Sequence, residues 1–177
     1  MAEPLDPPRG EVAALVAVQS VLADRPAVLA MARALSHFGE HSLGWSAVSV
    51  LGAAMQPSRR SGWLLAGAGA FAAHAAAVVI KRVVRRPRPH HPAVVVNVET
   101  PSRLSFPSAH ATSTTAAAIL LARVTGLPLP VALVAPMALS RVVLGVHYPS
   151  DVAAGVAVGA AVAGIAARLD GRIEGDR

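Results

Sequence analysis

Cysteine is absent from the 177 residues. That excludes a disulfide framework, a zinc–thiolate centre and a cysteine nucleophile. Aromatic residues make up only 3%, too few for the stacking platforms that read RNA or single-stranded DNA. Charged residues are 15%, against about 25% in an average soluble domain, so charge is too scarce to cover a globule in water. What charge there is leans one way, with 16 Lys and Arg against 10 Asp and Glu. A nucleic-acid partner is remote despite that excess, because a basic chain this apolar fits better against anionic head groups or an anionic substrate. A basic n-region running directly into an apolar stretch is also missing, so the first spanning segment is expected to be its own insertion signal.

Apolar sequence is what the chain has in quantity. Hydrophobic residues are 54% and mean hydropathy is +0.52. Five stretches contain no Asp, Glu, Lys or Arg: 41–58, 61–80, 104–122, 124–140 and 152–167. A spanning helix needs about 20 mostly apolar residues, with a range of roughly 17 to 25. Segment 61–80 meets this alone, and the others meet it if a terminal Arg or Asp snorkels to the interface. Segments 61–80 and 152–167 are apolar on every face, unlike a helix of a soluble bundle. The fold class expected is therefore all-α, a polytopic membrane bundle of five to six spanning helices with short N-terminal amphipathic helices. Residues 1–10 read as a polar tail, and 11–23 and 26–38 as two short helices, the second at the interface. A single span kinked at Arg25-Pro26 is the alternative. One domain over 11–168 and a polar tail over 169–177 complete the organisation.

The longest polar connection, 81–103, holds four prolines between 87 and 101, which argues against continuous helix. It opens the first of three polar clusters, Lys81 to Arg88-Pro89. The second is Pro107-Ser108-Ala109-His110. The third is Ser140-Arg141, then His147, then Asp151. Cluster one follows the span 61–80 and cluster two precedes the next span. The chain then crosses twice before cluster three, so all three meet on one membrane face. Together they suit a phosphate dianion: guanidinium groups grip phosphate oxygens in pairs, and the helix start near Ser108 presents unpaired N–H groups. With Asp151 as the only acid among them, a magnesium or calcium site lacks its oxygen ligands, and metal-independent chemistry is expected. Pro149 suits a first helical position. It places Asp151 in the first turn, within reach of His147, where a carboxylate fixes the imidazole tautomer and frees the other nitrogen to attack. His110 supplies the proton that an expelled alcohol requires.

These residues resemble the three-part motif of the type-2 phosphatidic acid phosphatases, in the membrane lipid phosphatase branch. The family pattern is Lys, six residues, Arg-Pro; Pro-Ser-Gly-His; and Ser-Arg, five residues, His, three residues, Asp. All three parts occur here in order, over about residues 62–168, with one departure: Ala109 stands where the family has glycine. The resemblance implies that His147 is the nucleophile and forms a phosphohistidine, that Asp151 orients it, and that His110 protonates the leaving alcohol and later activates water. Lys81, Arg88, Ser108, the Ala109 N–H and Arg141 would hold the phosphate, with no metal and no cofactor. The partners implied are a lipid-linked phosphate substrate and membrane lipids. Composition, with fifteen Arg to one Lys, is that of a bacterium with G+C-rich DNA, so a multi-pass plasma-membrane protein is expected. The substrate favoured within the family is a polyprenyl-linked sugar phosphate such as decaprenylphosphoryl-5-phosphoribose, in cell-wall arabinan precursor synthesis. Polyprenyl diphosphate and phosphatidylglycerol phosphate suit the same motifs.

The remaining polar residues have plainer readings. Arg82, Arg85 and Arg86 are read as a solvated basic loop at an anionic surface, against a grip on a second phosphate or a head group. His90 and His91 read as loop histidines. His37 and His41 have helical spacing but no third ligand, and His74 reads as hydrogen-bonded within the bundle. Gly155 and Gly159 form a GxxxG pair that serves either a dimer face or packing within the chain. Tyr148 reads as an interface anchor. A membrane scaffold that binds anionic lipid explains charge and hydropathy, but it leaves His110, His147 and Asp151 on one face unexplained.

Overall fold

The computed structural model describes residues 7–175; the first six residues of the expected N-terminal tail and the last two of the C-terminal one lie outside it. Among the described residues seven α-helices follow in order: α1 (Gly10–Leu22), α2 (Pro26–Gly39), α3 (Leu43–Met55), α4 (Arg60–Val84), α5 (Ala109–Thr125), α6 (Leu129–Val143) and α7 (Pro149–Gly175). Among the described residues there is no strand, only an isolated antiparallel bridge between Pro87 and Leu104 in the loop after α4. The N-terminal region is two helices broken before Pro26, which sits at the first helical position of α2. The expected C-terminal tail from 169 instead continues α7.

Helix α5 is the central post, packed against α4, α6 and α7. Its buried residues are small or β-hydroxylated, from Ala109 through Thr112, Ser113, Thr114 and Thr115 to Ala118. Two of the hydroxyls are satisfied locally, Thr112 Oγ1 donating to Ser108 O and Thr115 Oγ1 to Ala111 O, both at 2.8 Å, while Thr114 Oγ1 accepts the Trp45 indole N–H at 3.1 Å. Such a surface lets neighbouring backbones come close. Gly155 and Gly159 of α7 use that closeness. A Cβ on Gly155 would lie 2.7 Å from Ser108 O, and one on Gly159 would collide with Thr112 O. The GxxxG pair thus packs against α5 within the chain, the second of its two sequence readings.

The same contacts give the directions of the helices. Ser108 N–H donates to Asp151 O at 2.9 Å, so α5 and α7 start at one end and run parallel. Arg59 Nη1 donates to Val124 O at 2.8 Å at the opposite end, where α4 starts and α5 stops. Helices α4 and α6 therefore finish where α5 and α7 begin. This up-and-down order brings Lys81, Ser108, Arg141 and Asp151 to one end.

Large apolar side chains point outward, including Met55, Leu64, Phe71, Val79, Val131 and Ile165, while the core is mostly alanine. Small residues inside and large apolar residues outside is the arrangement of a bundle solvated by lipid. Two helical segments are long and apolar enough to cross a bilayer by themselves, Pro57–Val84 and Pro149–Gly171. The other apolar stretches yield shorter helices of 13, 17 and 15 residues in α3, α5 and α6. Turns consume the difference. His41 and Ser42 take left-handed backbone conformations between α2 and α3, residues 104–108 belong to the loop before α5, and Gly126 in the left-handed conformation ends α5 before Pro128.

Candidate active site

At the end where these helices converge lies a cavity of about 460 Å³. Its wall includes Lys81, Arg88, Ala109, His110, Arg141 and His147. Six of the eight expected site residues thus face one space. Ser108 and Asp151 are fully buried behind it.

Each side chain is held by a local device. Lys81, in the last turn of α4, donates from Nζ to Ser105 O at 2.8 Å and Leu104 O at 3.2 Å. Arg88 is clamped by Ser102 O at 2.8 Å from Nε and by Val146 O at 2.6 Å from Nη1. Burial lowers the pKa of Arg88 to about 10, which leaves it charged at neutral pH. Ser108 is the N-cap of α5, its side chain accepting from the Ala111 N–H. This cap fixes the start of α5, whose first residues Ala109 and His110 line the cavity. Arg141 is 1% exposed, and its Nε and Nη1 have no hydrogen-bond partner. A buried guanidinium left without a counter-ion is costly unless an anion completes it.

His147 follows a turn in which Gly145 adopts a φ of +72°. A Cβ at Gly145 would collide with Val95 O, so glycine is required on both counts. Arg88 Nη1 lies 3.3 Å from His147 Nε2. Arginine can only donate, so Nε2 accepts and the ring proton belongs on Nδ1. Nδ1 lies 3.6 Å from Asp151 Oδ2, beyond hydrogen-bond length. Burial holds the His147 pKa well below the usual imidazole value, and the neighbouring cations Arg88, Lys81 and Arg141 push it further down. The Nε2 lone pair is therefore available at neutral pH. His110 is anchored from α2: its Nε2 donates to Ser36 O at 2.9 Å.

His74 and Arg86 depart from their sequence readings. His74 Nδ1 is buried without a hydrogen-bond partner and its ring lies 5.8 Å from that of His41, while His37, His41 and His74 all line the cavity. Arg86 is not part of a solvated basic loop, nor does it face the cavity. Its Nη1 donates to Asp151 Oδ1 at 2.9 Å and its Nη2 to Glu11 Oε2 at 2.7 Å. Burial works against the Arg86 charge, but the carboxylates of Glu11 and Asp151 outweigh it and raise its pKa. The partners lie 65 and 75 positions away, so no local pattern announces them. Arg82 does reach the cavity wall.

Residues 62–173 match the PAP2 superfamily. The chain belongs to that superfamily. It is 72% identical over 149 residues to a decaprenylphosphoryl-5-phosphoribose phosphatase of Mycobacterium tuberculosis, covering 84% of each chain. A protein of the same name from Mycolicibacterium smegmatis is 72% identical over 150 residues, covering 85% of this chain and 83% of the other. The crystal structure of a transmembrane PAP2-type phosphatidylglycerolphosphate phosphatase from Bacillus subtilis superposes with a TM-score of 0.71. It covers 91% of this chain and 86% of that one at 22% identity, a likeness of fold. This PAP2 chain is accordingly a phosphatase with a membrane-phosphatase fold, as the motifs had implied.

Proposed function

We propose that the protein hydrolyses the phosphate monoester of a lipid-linked substrate, most specifically decaprenylphosphoryl-5-phosphoribose, through a phosphohistidine on His147. The observation that carries the phosphate reading is Arg141, a buried guanidinium with two unpartnered nitrogens in a wall shared with Lys81, Arg88 and His110. The relatives' names and their 72% identity favour the decaprenyl sugar phosphate over polyprenyl diphosphate or phosphatidylglycerol phosphate.

In this mechanism Lys81, Arg88, Arg141 and the first-turn N–H groups of α5, Ala109 among them, bind the phosphate oxygens. Ser108 sets that turn as its N-cap. His147 Nε2 attacks phosphorus while the P–O bond to the alcohol breaks, roughly in line. His110 gives the departing alkoxide its proton, then takes one from the water that attacks the phosphohistidine. Water oxygen ends on phosphate, and His147 returns to its neutral form. Asp151 faces the Nδ1 proton throughout and stabilises the imidazolium of the intermediate. The fixed cations stabilise the charge on the transferring group without a metal.

The setting proposed is one domain over 11–168, with α3 to α7 crossing a bacterial plasma membrane five times and α1 and α2 at the interface. The alternating directions of α4 to α7 and the outward apolar faces of α3, α4, α6 and α7 support it; α5 is enclosed by its neighbours. Phosphate release by purified protein in detergent with EDTA tests the substrate reading. Decaprenylphosphoryl-5-phosphoribose should be turned over at least about tenfold faster than phosphatidylglycerol phosphate or a polyprenyl diphosphate. A reversed preference would move the assignment to the other lipid, and EDTA sensitivity would remove the metal-independent mechanism.

A further inference from the structure

The loop arginine that the motifs leave out is wired to the catalytic carboxylate. We propose that Arg86 is a positioning residue for the His147–Asp151 pair, and that Glu11 of α1 locks Arg86 in place. This inference rests on the reading of His147 as nucleophile.

Asp151 is fully buried and its two oxygens are used differently. Oδ1 accepts from Arg86 at 2.9 Å. Oδ2 accepts the Tyr148 N–H at 2.8 Å and faces His147 Nδ1 at 3.6 Å. The carboxylate plane is thereby fixed at both ends, with one oxygen aimed at the imidazole. A buried carboxylate needs a paired charge to offset its lost hydration, and Arg86 supplies one to Asp151 at 2.9 Å. The negative partner of that pair faces the ring where the intermediate needs it, because a phosphoryl group on Nε2 leaves a cationic ring with its proton on Nδ1.

Arg86 is itself held on every side. Nη2 pairs with Glu11 Oε2 at 2.7 Å, Nη1 also donates to Ser150 Oγ at 2.6 Å, and the guanidinium lies 4.1 Å over the Tyr148 ring. The other Glu11 oxygen accepts the Ser150 N–H at 2.8 Å, which caps the first turn of α7 one residue before Asp151. Leu15, one turn further along α1, is buried against Ala111, Val142 and Val152. Gln19, a further turn on, donates from Nε2 to Val95 O at 2.6 Å and Val143 O at 3.1 Å. Helix α1 is thus a strap across the turn that carries His147, and Glu11 is its contact with the catalytic pair. Arg82 and Arg88 line the cavity whereas Arg86 is absent from its wall, so Arg86 acts through Asp151 and not on the phosphate.

The test compares full-length wild type, Arg86→Gln, Arg86→Lys, Glu11→Gln and His147→Ala in detergent, on one lipid phosphate. It measures kcat, KM and the inhibition constant of inorganic phosphate, with thermal unfolding as the check on folding. Arg86→Gln should lower kcat by about 10–100-fold, the usual scale for a partner that orients a reacting group. KM and phosphate inhibition should stay within about twofold of wild type, since uniform binding is untouched. Arg86→Lys should restore much of kcat, and Glu11→Gln should lose less than Arg86→Gln. A raised KM and weakened phosphate inhibition at unchanged kcat would make Arg86 a phosphate ligand and overturn the proposal. If Arg86→Gln fails to fold, wild-type kcat in folded Glu11→Gln would overturn it as well. Turnover surviving in His147→Ala would overturn the nucleophile reading and this inference with it. Turnover lost in His147→Ala but intact in Arg86→Gln would overturn this inference alone.

Discussion

Arg141 concentrates the conflict between stability and function in a single side chain. It is buried in α6 with unpartnered nitrogens, an arrangement that costs the empty protein several kcal/mol of desolvation by general estimates and that only an anion relieves. Arg141→Met should therefore raise the melting temperature in detergent while lowering kcat/KM by at least about 10²–10³-fold, the scale of one oxyanion donor. A lowered melting temperature would mean that the guanidinium stabilises the bundle rather than waiting for phosphate. His147 offers a second test at this scale. Its pKa lies well below the usual value because of burial first and the Arg88 charge next. A base of lowered pKa stays unprotonated to lower pH, so the acid limb of kcat/KM assigned to it should fall below about pH 6.5. Arg88→Gln removes one repelling cation and should move the His147 titration upward, which a histidine-labelled NMR titration would read.

Among the elements, the α5–α7 contact governs the site. Ser108 and Asp151 are joined through their backbones at 2.9 Å, and that approach exists because Gly155 and Gly159 lie against Ser108 O and Thr112 O. A side chain at Gly159 meets main chain, which cannot rotate away. Gly159→Val should destabilise the protein by about 1–3 kcal/mol and lower turnover together, without changing oligomeric state. Thermal unfolding and size-exclusion chromatography with light scattering check both parts. Much of this level was legible in the sequence. The N-cap Ser108, Pro149 at the start of α7 and the proline-rich loop each follow from local chemistry, and the motif spacing brought six residues to one cavity. Helix lengths were less legible, because charge-free runs show nothing of the left-handed turns at His41 and Ser42 that shorten them. Contacts such as Arg86 to Glu11 and His110 to Ser36 O join residues 75 and 74 positions apart, and only the folded bundle brings them together.

For the whole molecule, one end gathers the candidate site and the sides carry apolar surface. Lys81, Arg88, His110, Arg141 and His147 gather at that end, and Arg59, Arg123 and Asp170 gather at the other around a second cavity. If α3 to α7 cross the membrane, these two ends face different compartments. The chain has no cysteine, so single substitutions report sidedness without background. Arg103→Cys and Gly126→Cys should label from opposite sides of intact vesicles with an impermeant maleimide. Labelling of both from the same side would contradict the five-span arrangement. In the proposed mechanism the phosphoryl group passes through His147, and trapping it there is a direct test. Enzyme quenched during turnover of ³²P-labelled lipid phosphate should carry acid-labile, base-stable label on the peptide containing His147. His147→Ala should carry none and should lose turnover by at least about 10³-fold. Label on another residue, or full turnover by His147→Ala, would rule out a phosphohistidine at His147.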